Sequence, residues 1–577
     1  MYARYFMWNF VGKQNGDQGY FPWDLRTGHW QSGIKVFDEA KLYNMDKLTD
    51  TMKADPSNNK YYFLPLIFGI LGLVFHFFGS RKDFLTLFML FLITGIGIII
   101  YSNQPPNEPR ERDYVLVGSF MIFCVWIGMG VLALYDVLKD KVGKNGIVGA
   151  ALASGLVLTA PIIMGFQNFD DHSRADHTAG RDYAANFLNS LEDNAIIFTY
   201  GDNDTYPLWY AQEIEGIRTD VRVVNLSLIQ VDWYIEKLRK KVNDSEAIKI
   251  TIPQEQLRGR LRNQVWYTQQ ATENQQLELG QALNLIGRPD NLQQGRTLIP
   301  ARKFYMSIDS ARVANSPIFN SIKGLPIDKT INLSFPASPG YLTKDDLAVM
   351  DIIYSNFYDR PIYFAVTCQE SKLLKLNDNT QLEGLALRVV PVETKSTTSL
   401  GIYGSGRVEA DIIYNNVMNK WAWGGFDKHD TYVNDSYKPG VNAMKMAILR
   451  AATKYVESGN KARGNELANK AFEAFPHNNF PYSNSTINFI NVLVQGDDFE
   501  SAKKHSRIFA EETRQNLEFY QSLDQDDFGS FQTNYEDAIQ AANYILLIAR
   551  SVEDPAFEKE MKDMLESYTT APQQILD

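Results

Sequence analysis

Two acids spaced by one residue, Asp202 and Asp204, flank Asn203 in the run Gly201-Asp202-Asn203-Asp204-Thr205. Such a pair can hold a divalent cation through oxygen ligands. It can equally fill turn and cap positions, which Asp, Asn and Thr favour because their short side chains bond nearby backbone groups. A second polar run, from Gln104 to Asp113, sets Arg110, Glu111, Arg112 and Asp113 beside three prolines. Guanidinium forks suit a phosphate ester bidentately, so a lipid-linked phosphate is one ligand for this loop; an internal arginine–carboxylate network is the other reading. His172 and His177 with Asp170, Asp171 and Asp176 read as a metal cluster or as a solvated linker. No Ser-His-Asp spacing, phosphate-cradling glycine loop or HExxH motif occurs. Cys124 and Cys368 are the only cysteines, too few for a thiolate metal site.

The most distinctive frame for these residues is the stretch 61–166. Tyr61–Gly79, Phe84–Tyr101, Tyr114–Tyr135 and Ile147–Phe166 are apolar runs without Lys, Arg, Asp or Glu. A helix needs about 20 such residues to cross the hydrocarbon core, so four spans are expected. The breaks Gly79–Asp83 and Asp136–Gly146 are short and basic and belong inside. The run Ser102–Asp113 then faces outward, as do residues 1–60 and 167–577. Gly95, Gly97, Gly128, Gly130, Gly149 and Gly155 suit close helix packing.

Residues 1–60 read as irregular and aromatic-rich, either an anchor at the membrane–water boundary or a sugar-stacking platform. The first 20 residues hold no apolar leader region, so export is expected to rest on the spans. After the last span the pattern turns to α/β. Arg181–Leu191 and Tyr206–Glu215 read as helices, Ala195–Tyr200 and Val221–Ile229 as strands. Asp202 and Asp204 thus fall at the carboxyl end of a strand, where open α/β sheets bind ligands. Gln254–Gln294 reads as a Gln-rich helical insertion, Lys344–Phe357 as a helix, and Ile362–Val366 and Leu385–Val390 as strands. Beyond Lys438, Val441–Glu457 with Lys461–Ala474, Ser485–Gln495 with Phe499–Asn516, and Asn534–Arg550 with Pro555–Tyr568 form three hairpins of tetratricopeptide-like (TPR-like) length. They would offer a partner groove or cap the α/β domain. The expected fold class is a membrane α-helical block of four spans (61–166) after an interfacial segment (1–60), then an external α/β domain (167–437) and C-terminal α-helical TPR-like repeats (438–577). A net charge of −11 argues against nucleic acid as a partner.

Four stretches carry a resemblance: Arg4-Tyr5-Phe6-Met7-Trp8-Asn9-Phe10, Pro109-Arg110-Glu111-Arg112-Asp113-Tyr114, Gly201 through Tyr210, and Tyr437-Lys438-Pro439-Gly440-Val441-Asn442. Together they resemble a bacterial membrane family similar to protein O-mannosyltransferases. The resemblance implies a GT-C-type glycosyltransferase that uses a polyprenyl-phosphate sugar and modifies a protein acceptor. It also implies the Gram-negative inner membrane, with the large domain in the periplasm. Family members carry a further N-terminal half whose external loop, with a Trp-Asp-Cys-Gly-Glu-like motif, provides the acid taken as catalytic base. This chain resembles the C-terminal half. Its catalytic residues are therefore unassigned, its one cofactor candidate is a divalent cation, and a partner chain carrying the N-terminal half is implied. The expected function is the donor-phosphate and acceptor-docking part of such an enzyme, inactive alone. The other reading is a non-catalytic, membrane-anchored module that binds proteins or glycans.

Overall fold

The computed structural model describes residues 2–103, 112–139, 141, 146–175, 177–269, 271, 275–292, 295–429 and 432–570, with only the backbone of Asp113 and Thr570. Three helices are long and apolar enough to cross a membrane: Arg81–Ser102, Tyr114–Leu138 and Gly146–Gln167. They present Ile100, Ile147 and Phe166 outward at 74, 77 and 82% exposure, the inverse of a water-soluble surface. The first expected span is shorter than its apolar run. Tyr62 and Phe63 take left-handed φ of 53° and 57°, so the helix starts at Leu64 and ends at Gly79, 16 residues in all. That length covers about 24 Å, short of a hydrocarbon core of about 30 Å.

Small residues let this helix meet the third apolar one. A Cβ on Gly72 would collide with the Trp126 carbonyl, and one on Gly130 would lie 2.7 Å from the Phe68 oxygen. Gly128 and Gly155, expected to serve packing, face open space. Between the two helices the buried Trp126 indole donates to His76 Nδ1 at 3.2 Å, pairing a polar ring in apolar surroundings.

The N-terminal segment is more ordered than its composition predicts. Tyr2–Phe10 is a helix, and its rings enter the membrane block. Tyr2 shares a 2.5 Å hydrogen bond with Ser119, and Phe6 and Phe10 lie with centroids 4.7 and 4.5 Å from Phe123. The rest of the segment is a strap. Gly12–Lys13 pairs antiparallel with Asn59–Lys60. Further along, the Thr51 hydroxyl donates to Glu512 at 2.6 Å, and the Leu25 backbone N–H donates to Ser530 at 3.2 Å.

The α/β core is a six-stranded sheet in the order Arg407–Val408, Thr380–Leu382, Ala386–Val389, Ile362–Ala365, Ile196–Thr199, Arg222–Asn225. The last three strands run parallel, and continuous apolar runs suit their burial on both faces. The second strand of the expected βαβ unit stops at Asn225, whose side chain takes the Ser227 N–H at 2.7 Å and turns the chain. The Gln-rich stretch corrects the helical expectation. Its described residues hold the strands Gln264–Tyr267 and Gln276–Glu278, a 3-10 turn at Gln254–Gln256 and the α-helix Leu279–Gly287, which buries Leu279, Ala282, Leu283 and Ile286. Gln264–Tyr267 is claimed by distant edges, Tyr341–Thr343 antiparallel and Thr297–Ile299 parallel. The chain closes with three helical hairpins: Lys438–Glu457 with Lys461–Ala474, Asn484–Gln495 with Phe499–Gln521, and Gln525–Ser551 with Pro555–Thr570. Asn460 and Asp498 cap second helices by accepting the Arg463 and Ser501 N–H groups.

Candidate functional site: an aromatic cleft around Asp204

The strand Ile196–Thr199 ends at Gly201, whose φ of 79° turns the chain into the helix Asp202–Glu213. The helix begins four residues earlier than its apolar pattern predicts. Gly201 occupies the cap position and makes no side-chain bond, so Asp202, Asn203 and Asp204 form the first turn, where negative charge suits the helix dipole. Behind the turn, Thr205 donates to the Gly201 carbonyl at 2.8 Å and meets the Thr199 hydroxyl at 2.8 Å. The Asn225 amide reaches Thr205 from the neighbouring strand at 3.0 Å.

The two acids part company here. Asp202 is exposed, whereas Asp204 is buried and accepts the Thr367 hydroxyl at 2.6 Å. Burial raises the Asp204 pKa, against the lowering effect of bonds from Thr367 and the Tyr200 backbone. No cluster of three or more His, Cys, Asp or Glu suited to a metal occurs among the described residues.

Asp204 looks into a cleft of about 340 Å³. Asp202 and Asn203 line its rim; Tyr183, Thr367, Trp423, Phe426, Tyr437 and Pro439 make its walls. Two of the sequence runs singled out above, Gly201–Tyr210 and Tyr437–Asn442, thus meet at one place. Between them stands Trp421-Ala422-Trp423-Gly424-Gly425-Phe426. Its signal, aromatic rings alternating with glycine, has neither helical nor strand period. The helix Ala179–Asn189 pins this run: Asn186 donates to the Ala422 carbonyl at 2.7 Å and accepts its N–H at 2.9 Å, and Asp182 accepts the Gly424 N–H at 3.1 Å. Gly424 has a φ of 69°, and a Cβ there would lie 2.8 Å from Ala179 Cα. Only glycine permits that approach.

His177 packs against two rings of that wall. Its ring lies 4.8 Å from Tyr437 and 5.1 Å from Phe426, and burial lowers its pKa. His172 pairs instead with Asp171 at 2.6 Å; Asp176 lies outside the described residues. Beside Tyr437, Lys438 bridges Asp435 and Asp17, the latter at 3.9 Å. Burial, and then Asp435, push the Asp17 carboxyl up to about 6.

Of the run from Gln104 to Asp113, only its last two residues are described. Arg110 and Glu111 lie outside the described residues; Arg112 is exposed just ahead of the helix that Asp113 opens. A buried carboxylate, a hydroxyl and ringed walls can hold a hydroxyl-bearing ligand by hydrogen bonds on one side and apolar faces on the other.

Residues 180–412 match the model of TMEM260-associated domain 2. Over 174 residues, 28% of this chain and 24% of the relative, the sequence is 29% identical to protein O-mannosyl-transferase TMEM260 of Mus musculus. The match therefore spans about a quarter of that relative's length. No solved structure matches. With its apolar helices and this partial likeness, the chain is similar to a membrane glycosyltransferase of the O-mannosyltransferase kind.

Proposed function

We propose that this chain is the acceptor-docking part of a membrane glycosyltransferase similar to protein O-mannosyltransferases, and that the cleft around Asp204 receives the acceptor's hydroxyl-bearing segment. The meeting of the Gly201 and Tyr437 runs across a buried acid carries this reading. Burial keeps the Asp204 carboxylate more basic, a better acceptor for a serine, threonine or sugar hydroxyl, while Trp423, Phe426 and Tyr437 cover apolar faces.

In this reading four helices cross the membrane, the short Leu64–Gly79 by locally thinning the bilayer. Residues 167–577 lie outside, in the periplasm of a bacterial cell. The loop carrying Arg110, Glu111, Arg112 and Asp113 meets the phosphate of a polyprenyl-phosphate sugar. The hairpins after Lys438 act as TPR-like repeats toward the protein acceptor, and a partner chain brings the catalytic acid. The test is sugar transfer to a protein acceptor in liposomes containing the lipid-linked donor. The chain alone should be silent, and adding the N-terminal half should restore turnover. In that pair, Asp204→Asn should raise the acceptor KM by about tenfold, the worth of one hydrogen bond to a charged group. An unchanged KM overturns the docking role, and turnover by the chain alone overturns the division of labour.

A further inference from the structure

A different cleft, of about 640 Å³, opens over the small sheet Tyr341–Thr343, Gln264–Tyr267, Thr297–Ile299. Nothing in the function proposed above depends on it. Its loop wall, residues 257–263, is tied down by two buried cations. Lys344, 2% exposed, donates to the carbonyls of Leu257 at 2.9 Å and Gly259 at 2.7 Å. Arg262, 3% exposed, donates to those of Ile286, Gln256 and Arg288 at 2.6, 2.7 and 3.0 Å. Both give their hydrogen bonds to backbone carbonyls and make no direct ion pair among the described residues, although the charge of Asp232 reaches Lys344. The acids nearby are engaged: Asp232 takes the Gly259 N–H at 2.7 Å, and Asp290 pairs with Arg288 at 2.7 Å.

Beside this positive corner stand two arginines whose side chains make no hydrogen bond or ion pair among the described residues. Arg260 stands at the rim, and Arg296 lies over the Trp266 ring at 4.9 Å. Tyr341 packs against the same indole at 4.9 Å. With Arg296 and Tyr341 against it, Trp266 is not a free platform for a sugar ring. It serves instead to hold a guanidinium over its face, and a guanidinium fork suits a bidentate oxyanion. The exposed Asn263 and Gln264 line the cleft beside it, with amides suited to hydroxyls.

We infer that this cleft binds an acidic saccharide, an oxyanion carried on a hydroxylated ring, with Arg260 and Arg296 clamping the charge. Carboxylate and phosphate share that chemistry, and the probes separate them. The test is calorimetric titration of the full chain in detergent with trigalacturonate, glucose 6-phosphate, maltotriose and a hexaglutamate peptide. Saturable binding of one of the two acids is expected, the tighter naming the anion, with none by maltotriose. Replacing both residues, Arg260→Gln and Arg296→Gln, should weaken it at least about tenfold. Arg296→Lys keeps the charge without the stacked fork and should recover only part. Both side chains are exposed, so the melting temperature should stay put and report that the variants fold. Equal binding of maltotriose, tighter binding of hexaglutamate, affinity unmoved by the substitutions, or no saturable binding each overturns the inference.

Discussion

The cleft around Asp204 is walled by rings beside one buried acid, whereas the wider cleft around Arg296 is lined by guanidinium groups that pair with no carboxylate among the described residues. Both suit ligands rich in hydroxyls, yet they would select by opposite means. Ring walls work only in contact, so the first cleft depends on close backbone approach, as at Gly424. Charge acts over several ångströms, so the second can be wide and still discriminate. The contrast teaches that in this domain shape and charge are assigned to separate places.

Glycine substitutions should break the contrast most sharply. Gly424→Val forces both a strained φ and a clash with Ala179, an expected cost of about 2–5 kcal/mol. Gly295→Ala on the other wall meets strain alone, since a Cβ there has open space at φ 77°, and should cost about 1 kcal/mol. Denaturant unfolding of the two variants measures the difference. Next in size, Asp204→Asn should weaken acceptor binding about tenfold and leave trigalacturonate untouched, with Arg296→Gln doing the reverse; the double variant should be additive. Raising salt from about 0.05 to about 0.5 M should weaken the arginine cleft several-fold and spare the aromatic one.

The smallest effect concerns pH. Asp17 titrates near 6 in the folded chain against 3.8 in the unfolded one, because it is half-buried and lies beside Asp435. The folded state therefore holds the proton more tightly. Its contribution to stability is complete below about 3.8 and is lost as pH rises through about 6. Thermal melts should thus fall modestly from about pH 5 to about pH 7, and Asp17→Asn should flatten the slope. Asp55 and Lys438 also act on this group, the first raising and the second lowering its pKa, so the slope is a property of the cluster.

What the sequence discloses follows the range of the forces involved. Lys461–Ala474 has the bounds expected of it because its signals are local: Asn460 as cap, an alanine-rich face, and Phe475-Pro476 as stop. Ile196–Thr199 is equally readable, since an uninterrupted apolar run between polar ends has few other fates. The early start at Asp202 is not readable, because Gly-Asp-Asn-Asp spells a turn as well as a helix and Thr367 engages Asp204 from 163 residues away. The Gln-rich stretch misleads for a related reason: pairing with Tyr341–Thr343 overrides a composition that favours exposed helix. Asp202, Asn203 and Asp204 stand out in the sequence, whereas Trp423 and Phe426 come beside them only through the fold.

The strap between the membrane block and the last hairpins bears on how the molecule is made. Residues 25–51 find partners at Glu512, Gln515, Ser530 and Asn534, 461 to 508 positions downstream. Loops that long are slow to close, and these hairpins leave the ribosome long after residues 25–51. Throughout synthesis, then, Tyr43 waits for Phe519 and Phe531, against whose rings it finally packs at 5.2 and 5.8 Å. The helices carrying residues 512–534 act as the latch on residues 25–51. A polypeptide cut short near residue 500 would keep every apolar helix of the membrane block, yet leave residues 12–60 without the surface that orders them.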